Sequence, residues 1–136
     1  VKLDFVIRGS DFINAGEASS GTKKALTRLG ISPKAIKRAA IAMYEAELNA
    51  VIHAGGGNAE VEIFSDHVQV RVIDNGPGIP DVELAMQEGW STAPDIAREM
   101  GFGAGMGLPN IKKNSDDMSI ETEIGHGTTL TIMIRF

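Results

Sequence analysis

The chain contains no cysteine, which excludes disulfide staples and thiolate metal sites and suits a reducing compartment such as the cytoplasm. No apolar run approaches the ~18 residues a membrane span requires, and no signal-peptide pattern opens the sequence, so no membrane attachment is expected. The formal net charge is −5, from 13 basic and 18 acidic residues, which argues against direct nucleic-acid binding through bulk electrostatics. Internal repeats and low-complexity segments are also missing. A length of 136 residues allows one domain, 1–136, with a single core.

What the chain has in excess is glycine, sixteen in all. They gather at 55–57, 76–78, 101–107 and 125–127, each between segments that read as regular structure. Glycine loses much conformational freedom on folding, so such clusters mark places where backbone bends sharply or approaches a ligand. Basic residues gather too, at Lys23, Lys24, Arg28, Lys34, Lys37 and Arg38. They read as a solvated helix face or as a patch that docks an acidic protein.

The hydrophobic pattern predicts a strand over 3–8 and a helix from about Asp11 to Leu29, with Ser10 or Asp11 as N-cap and Gly30 as the stop. Gly16, Ser19, Ser20, Gly21 and Thr22 make its first half a weak helix former. A second helix starts at Ser32-Pro33, where the missing proline N–H does no harm, and runs to about Ala54. It is apolar around most of its circumference, as a helix buried between layers would be. Strands follow over 59–64 and 68–73, joined by a tight turn at 65–67. After a turn at 74–80 comes a long segment, 81–103, then a short helix over 104–113 and strands over 118–124 and 128–136. This order, with antiparallel hairpins between helices, predicts an α+β fold: a two-layer sandwich whose mixed, mainly antiparallel sheet is covered by helices. A 23-residue segment without periodicity is long for a compact domain and is expected to be functional.

Four groups of residues carry chemistry. On the second helix Glu45 and Asn49 are four apart and share a face, while Glu47 lies on the opposite side. They either reach neighbouring backbone and solvent, or form a general base (Glu45) beside an oxygen ligand for Mg²⁺ (Asn49). Next, Asp74-Asn75-Gly76-Pro77-Gly78-Ile79 follows an apolar strand. Asp74 either initiates a turn or accepts the exocyclic N–H of adenine, with the glycines leaving room for the base. Third, Gly101, Gly103, Gly105 and Gly107 alternate into a helix, so successive N–H groups can converge on an anion at a helix N-terminus. Neither the Walker pattern nor the strand-linked dinucleotide fingerprint is present. Last, Gly125-His126-Gly127-Thr128 places a Thr hydroxyl at a strand start, where it could join the Asp74 set.

In this order the four groups resemble the Bergerat-fold (GHKL) ATPases: Glu45 and Asn49 their N box, Asp74, Gly76 and Gly78 their G1 box, Gly103, Gly105, Gly107 and Leu108 their G2 box, and Gly125, Gly127 and Thr128 the last. The resemblance runs from Pro33 to the end. It implies Mg-ATP bound under a mobile lid formed from about 81–103, with His53 and Ile79 beside the nucleotide. The stretch Glu45 to Gly55 is similar to the anti-sigma factor serine-protein kinases, and Glu88 to Thr92 with Gly107 to Pro109 to the stressosome switch kinases. The resemblance implies Glu45 as base for a protein hydroxyl, Asn49 on Mg²⁺ and His53 near the phosphates, with lid Arg98 a candidate for the γ-phosphate. It also implies a Ser or Thr substrate on a STAS-type anti-anti-sigma protein, with a sigma factor and a homodimer as further partners. A non-catalytic ATP-dependent binding switch and the ATPase domain of a larger sensor histidine kinase are the alternatives.

Overall fold

The computed structural model describes residues 1–9, 15–79, 82, 86 and 107–136. Within them the chain forms β1 (Lys2–Arg8), α1 (Glu17–Arg28), α2 (Pro33–His53), β2 (Gly56–Ile63), β3 (His67–Asp74), α3 (Gly107–Asn114), β4 (Asp117–Glu123) and β5 (Gly127–Arg135). The strands make one sheet in the order β1-β2-β3-β5-β4. Every pairing among the described strands is antiparallel, so the mixed component expected of the sheet is not found there. The α+β two-layer arrangement is as the pattern predicts.

Alternation in the strands sets the layers. Val61, Val70 and Ile132 are mutual neighbours across β2, β3 and β5, as are Ile63, Val68 and Ile134, and all six are buried. Their chain neighbours Glu60 and Arg71 fall on the other face and are exposed. α2 packs against α1, α3 and the sheet. Its buried residues include Ala39, Ala42, Ala46 and Ala50, short side chains that let a central helix lie close to three neighbours. No helix among the described residues is long and apolar enough to cross a membrane.

The start of α1 departs from expectation. The helix begins at Glu17, later than the pattern suggests, and Ser10 and Asp11 lie outside the described residues. Gly16 occupies the N-cap position with φ 102°, and no side chain of α1's own caps it. Glu47 of α2 does so from a distance. Its carboxylate accepts the N–H groups of Gly16 (2.9 Å), Ala18 (3.2 Å) and Ser19 (3.2 Å), and it is 3% exposed. A helix N-terminus has unpaired N–H groups and partial positive charge, so a buried carboxylate is stable there. The weak helix formers have a packing reason as well. A Cβ at Gly21 would lie 2.7 Å from the Phe5 ring, so glycine is what lets β1 press its aromatic side chain onto α1.

Removing the cap tests this. Glu47→Ala should lower unfolding free energy by about 2–3 kcal/mol, the worth of hydrogen bonds to a charged acceptor, and Glu47→Gln by roughly half as much. Urea unfolding monitored by circular dichroism would read both.

Candidate functional site

The site is built where β3 ends. Asp74 is paired with Thr128 of β5, and Thr128 with Thr122 of β4. Three polar side chains therefore stand in one row across three strands. One step inward the equivalent row is Val72, Leu130 and Ile120. Asp74 Oδ1 accepts the N–H of Gly76 (3.0 Å) and of Thr128 (3.1 Å). Its Oδ2 has no partner among the described residues. Thr122 Oγ1 accepts the Ile79 N–H at 2.8 Å and lies 2.9 Å from Thr128 Oγ1 and 3.3 Å from the Gly127 carbonyl. One hydroxyl thus ties the loop after β3 to the start of β5.

The glycines bring backbone against backbone. A Cβ at Gly76 would lie 2.6 Å from Ala54 Cα, and one at Gly78 2.6 Å from the Glu123 carbonyl oxygen. These residues seat the loop against the end of α2 and against β4. Gly127, at φ 102°, approaches still closer: a Cβ there would come within 2.1 Å of the Asp74 carbonyl. The Gly125 N–H donates to the Pro77 carbonyl at 2.9 Å and closes the loop onto the β4–β5 turn.

Glu45 and Asn49 are both half-buried on α2, away from fully buried Glu47. Burial pushes the Glu45 carboxyl above the ordinary glutamate range, and a hydrogen bond from the Asn110 side chain of α3 offsets part of that rise. The Asn49 amide lies against the first residue of α3, where a Cβ at Gly107 would meet Asn49 Oδ1 at 2.9 Å and Nδ2 at 3.2 Å. Any larger residue at 107 would displace that amide. Leu108 is buried, and Ile79 is half-buried against the core. Gly103, Gly105, Arg98 and the segment 81–103, apart from Val82 and Met86, lie outside the described residues, as does the side chain of His53.

The structure therefore brings Glu45 and Asn49 against α3, and Asp74, Gly76 and Gly78 against the β4–β5 turn with Thr128. Ala54, five residues beyond Asn49, links the two groups through its contact with Gly76. Three participants were missed in the sequence. Thr122 was readable from the hairpin, since pairing across the 125–127 turn sets it opposite Thr128. Asn110 sits one helical turn after Gly107. Glu47 gave no local signal, because its partners are about 30 residues away.

This fold and these motifs define an ATPase domain, and comparison with known proteins agrees. The family model described as "Histidine kinase-, DNA gyrase B-, and HSP90-like ATPase" matches residues 35–136. The chain belongs to that family. It is 32% identical over 97 residues to the serine/threonine-protein kinase RsbT of Bacillus subtilis (strain 168), covering 68% of this chain and 67% of that protein. It is 33% identical over 101 residues to the anti-sigma F factor of Clostridium beijerinckii, covering 70% and 67%. Among solved structures, that of the RsbU and RsbW domains of Rv1364c from Mycobacterium tuberculosis matches with a TM-score of 0.67 at 17% identity, over all of this chain but 33% of that one. The SiaB–SiaC complex from Pseudomonas aeruginosa matches with a TM-score of 0.62 at 16% identity, over 97% and 88%. At those identities the structural likeness is one of fold.

The raised Glu45 carboxyl has a consequence for stability. The folded protein holds this proton more tightly than the unfolded chain does. The contribution is fully present below the unfolded value, about pH 4.3, and is lost as pH rises through the folded one. Glu45→Gln should therefore raise the melting temperature at neutral pH, and the gain should disappear below about pH 4. Calorimetric melts across that range would check the sign.

Proposed function

We propose that this chain is an ATP-dependent protein-serine/threonine kinase of the anti-sigma factor type. It transfers the γ-phosphate of Mg-ATP to a Ser or Thr hydroxyl of a STAS-type anti-anti-sigma partner. The observation that carries this reading is the placement of half-buried Glu45, with a raised pKa, one turn before Asn49 at the head of α3. The names of its relatives, a serine/threonine-protein kinase and an anti-sigma F factor, support it. Residues 1–136 are read as one domain, and the cytoplasm is its proposed compartment. A sigma factor and a second copy of the chain are further proposed partners.

In this reading Glu45 accepts the substrate hydroxyl proton. A carboxylate whose pKa is raised is a stronger base than an exposed one, and Asn110 fixes its orientation. Asp74 uses Oδ1 to hold its own turn and leaves Oδ2 to accept the adenine amine. The backbone of Gly76, Gly78 and Ile79 borders the base, with Thr128 and Thr122 holding that wall in place. Gly103, Gly105, Gly107 and Leu108 contribute backbone N–H groups to the phosphates at the α3 N-terminus, with His53 nearby. No cluster of three or more His, Cys, Asp or Glu side chains suited to a metal exists among the described residues. Asn49 would offer Mg²⁺ a hard amide oxygen, a donor type the ion accepts. When bound, the ion would neutralise phosphate charge.

Two measurements test the proposal. Incubation with radiolabelled ATP and a panel of co-encoded STAS proteins should label one of them, and Glu45→Ala should bind ATP normally yet transfer about 10²–10⁴-fold more slowly. Tight ATP binding with no transfer to any of them would leave an ATP-dependent binding switch. Separately, Asp74→Asn can keep the turn while reversing the polarity offered to adenine. It should weaken ATP binding by roughly 10–100-fold, the worth of a charged hydrogen bond, with little change in melting temperature. Unchanged affinity by calorimetry would remove Asp74 from the base site.

A further inference from the structure

The basic cluster is not used by the nucleotide reading. Six of the 13 basic residues and none of the 18 acidic ones lie between Ala18 and Tyr44. Lys23, Lys24, Arg28, Lys34 and Lys37 are all exposed. Arg38 alone is neutralised, by Asp116 at 3.1 Å; none of the other five forms an ion pair among the described residues. They gather at one end of the α1–α2 hairpin. The turn there is closed by the Gly30 N–H on the Thr27 carbonyl and the Ile31 N–H on the Leu26 carbonyl, both 3.1 Å, with Gly30 at φ 74°.

Several of these charges work against the helices that carry them. Lys34 stands in the first turn of α2, at the positive end of its macrodipole, and no acidic residue occupies that turn. Lys24 and Arg28 are like charges four apart on α1. At the tip between the helices Leu29 is 50% exposed. The turn does not require leucine there, because its hydrogen bonds use only backbone and its left-handed position is taken by Gly30.

We propose that this tip is a docking surface for an acidic protein. Leu29 is its apolar centre, and Lys24, Arg28, Lys34 and Lys37 form its basic rim. A central hydrophobic anchor within a charged rim is the anatomy of a protein interface. A nucleic acid or an anionic membrane would instead meet a small patch on a molecule that elsewhere carries all 18 acids against seven bases. The surface is separate from the proposed nucleotide site. Lys34 and Asn49 are fifteen residues apart on one helix, roughly 22 Å at 1.5 Å per residue, so the two can be occupied together.

The probe is an oligoglutamate peptide carrying one central leucine, titrated at low salt into the ¹⁵N-labelled chain with and without ATP. Amide shifts should centre on Leu29 to Ile31 and the first turn of α2, and ATP should leave the affinity unchanged. Leu29→Ser and the double variant Lys34→Glu, Lys37→Glu should each weaken binding fivefold or more. The double variant should also melt higher than the parent, because it relieves the dipole conflict. Shifts centred elsewhere, unchanged affinity in both variants, or a lower melting temperature in the charge-reversed protein would overturn the proposal. So would tighter binding at the same amides by a short DNA duplex or by phosphatidylserine vesicles. None of these readouts requires kinase activity, so failure here is distinguishable from failure of the nucleotide reading.

Discussion

The end of β3 is where backbone must touch backbone, and the site depends on that contact. β2 and β5 flank the strand, the last turn of α2 lies over the loop that follows, and the end of β4 lies against the same loop. At Gly127, Gly76 and Gly78 a Cβ would come within 2.1–2.6 Å of neighbouring protein atoms. An alanine at any of them would push two elements apart. Once the elements do meet, Asp74 can hold the N–H groups of Gly76 and Thr128 with one oxygen, and Thr122 can hold Ile79. The close approach is thus a precondition of the hydrogen bonds. Three of the sixteen glycines, whose number is the most unusual property of the composition, record this junction.

That distinction explains how much could be read from the chain alone. Element order was legible because alternating valines in β2 and β3 and the apolar circumference of α2 are strong, local periodic signals. The site's parts were legible because each carries a local signal, the four-residue spacing of Glu45 and Asn49 on one helix face and, for the others, a turn or a helix start. What the glycines do was only half legible: a cluster between elements shows that something approaches closely, without showing whether it is ligand or protein. Gly76 and Gly78 read as room for a base, and the structure shows a protein contact for each, with Ala54 and with Glu123. The pattern sets the first helix too early because its cap is not a neighbouring residue. The acceptor comes from α2, and no local pattern can reveal a partner 28 to 31 residues distant.

The stability of α1 and the chemistry of α2 are consequently joined. Glu45 and Glu47 stand two residues apart and so point to nearly opposite sides of one helix. Both are acidic in an otherwise apolar setting, and the sequence alone distinguishes them only by spacing to Asn49. The structure separates them by how well each is satisfied. Glu47 is buried with three N–H donors at a helix N-terminus, an arrangement that fixes a charge and leaves it nothing further to do. Glu45 is half-buried, its pKa raised by burial and only partly offset by Asn110. A carboxylate desolvated without full compensation stores a preference for taking up a proton, and that preference is what a general base requires. The contrast between a fully paired acid and an under-paired one, on one helix, is the physical ground on which Glu45 is proposed as the base while Glu47 caps α1.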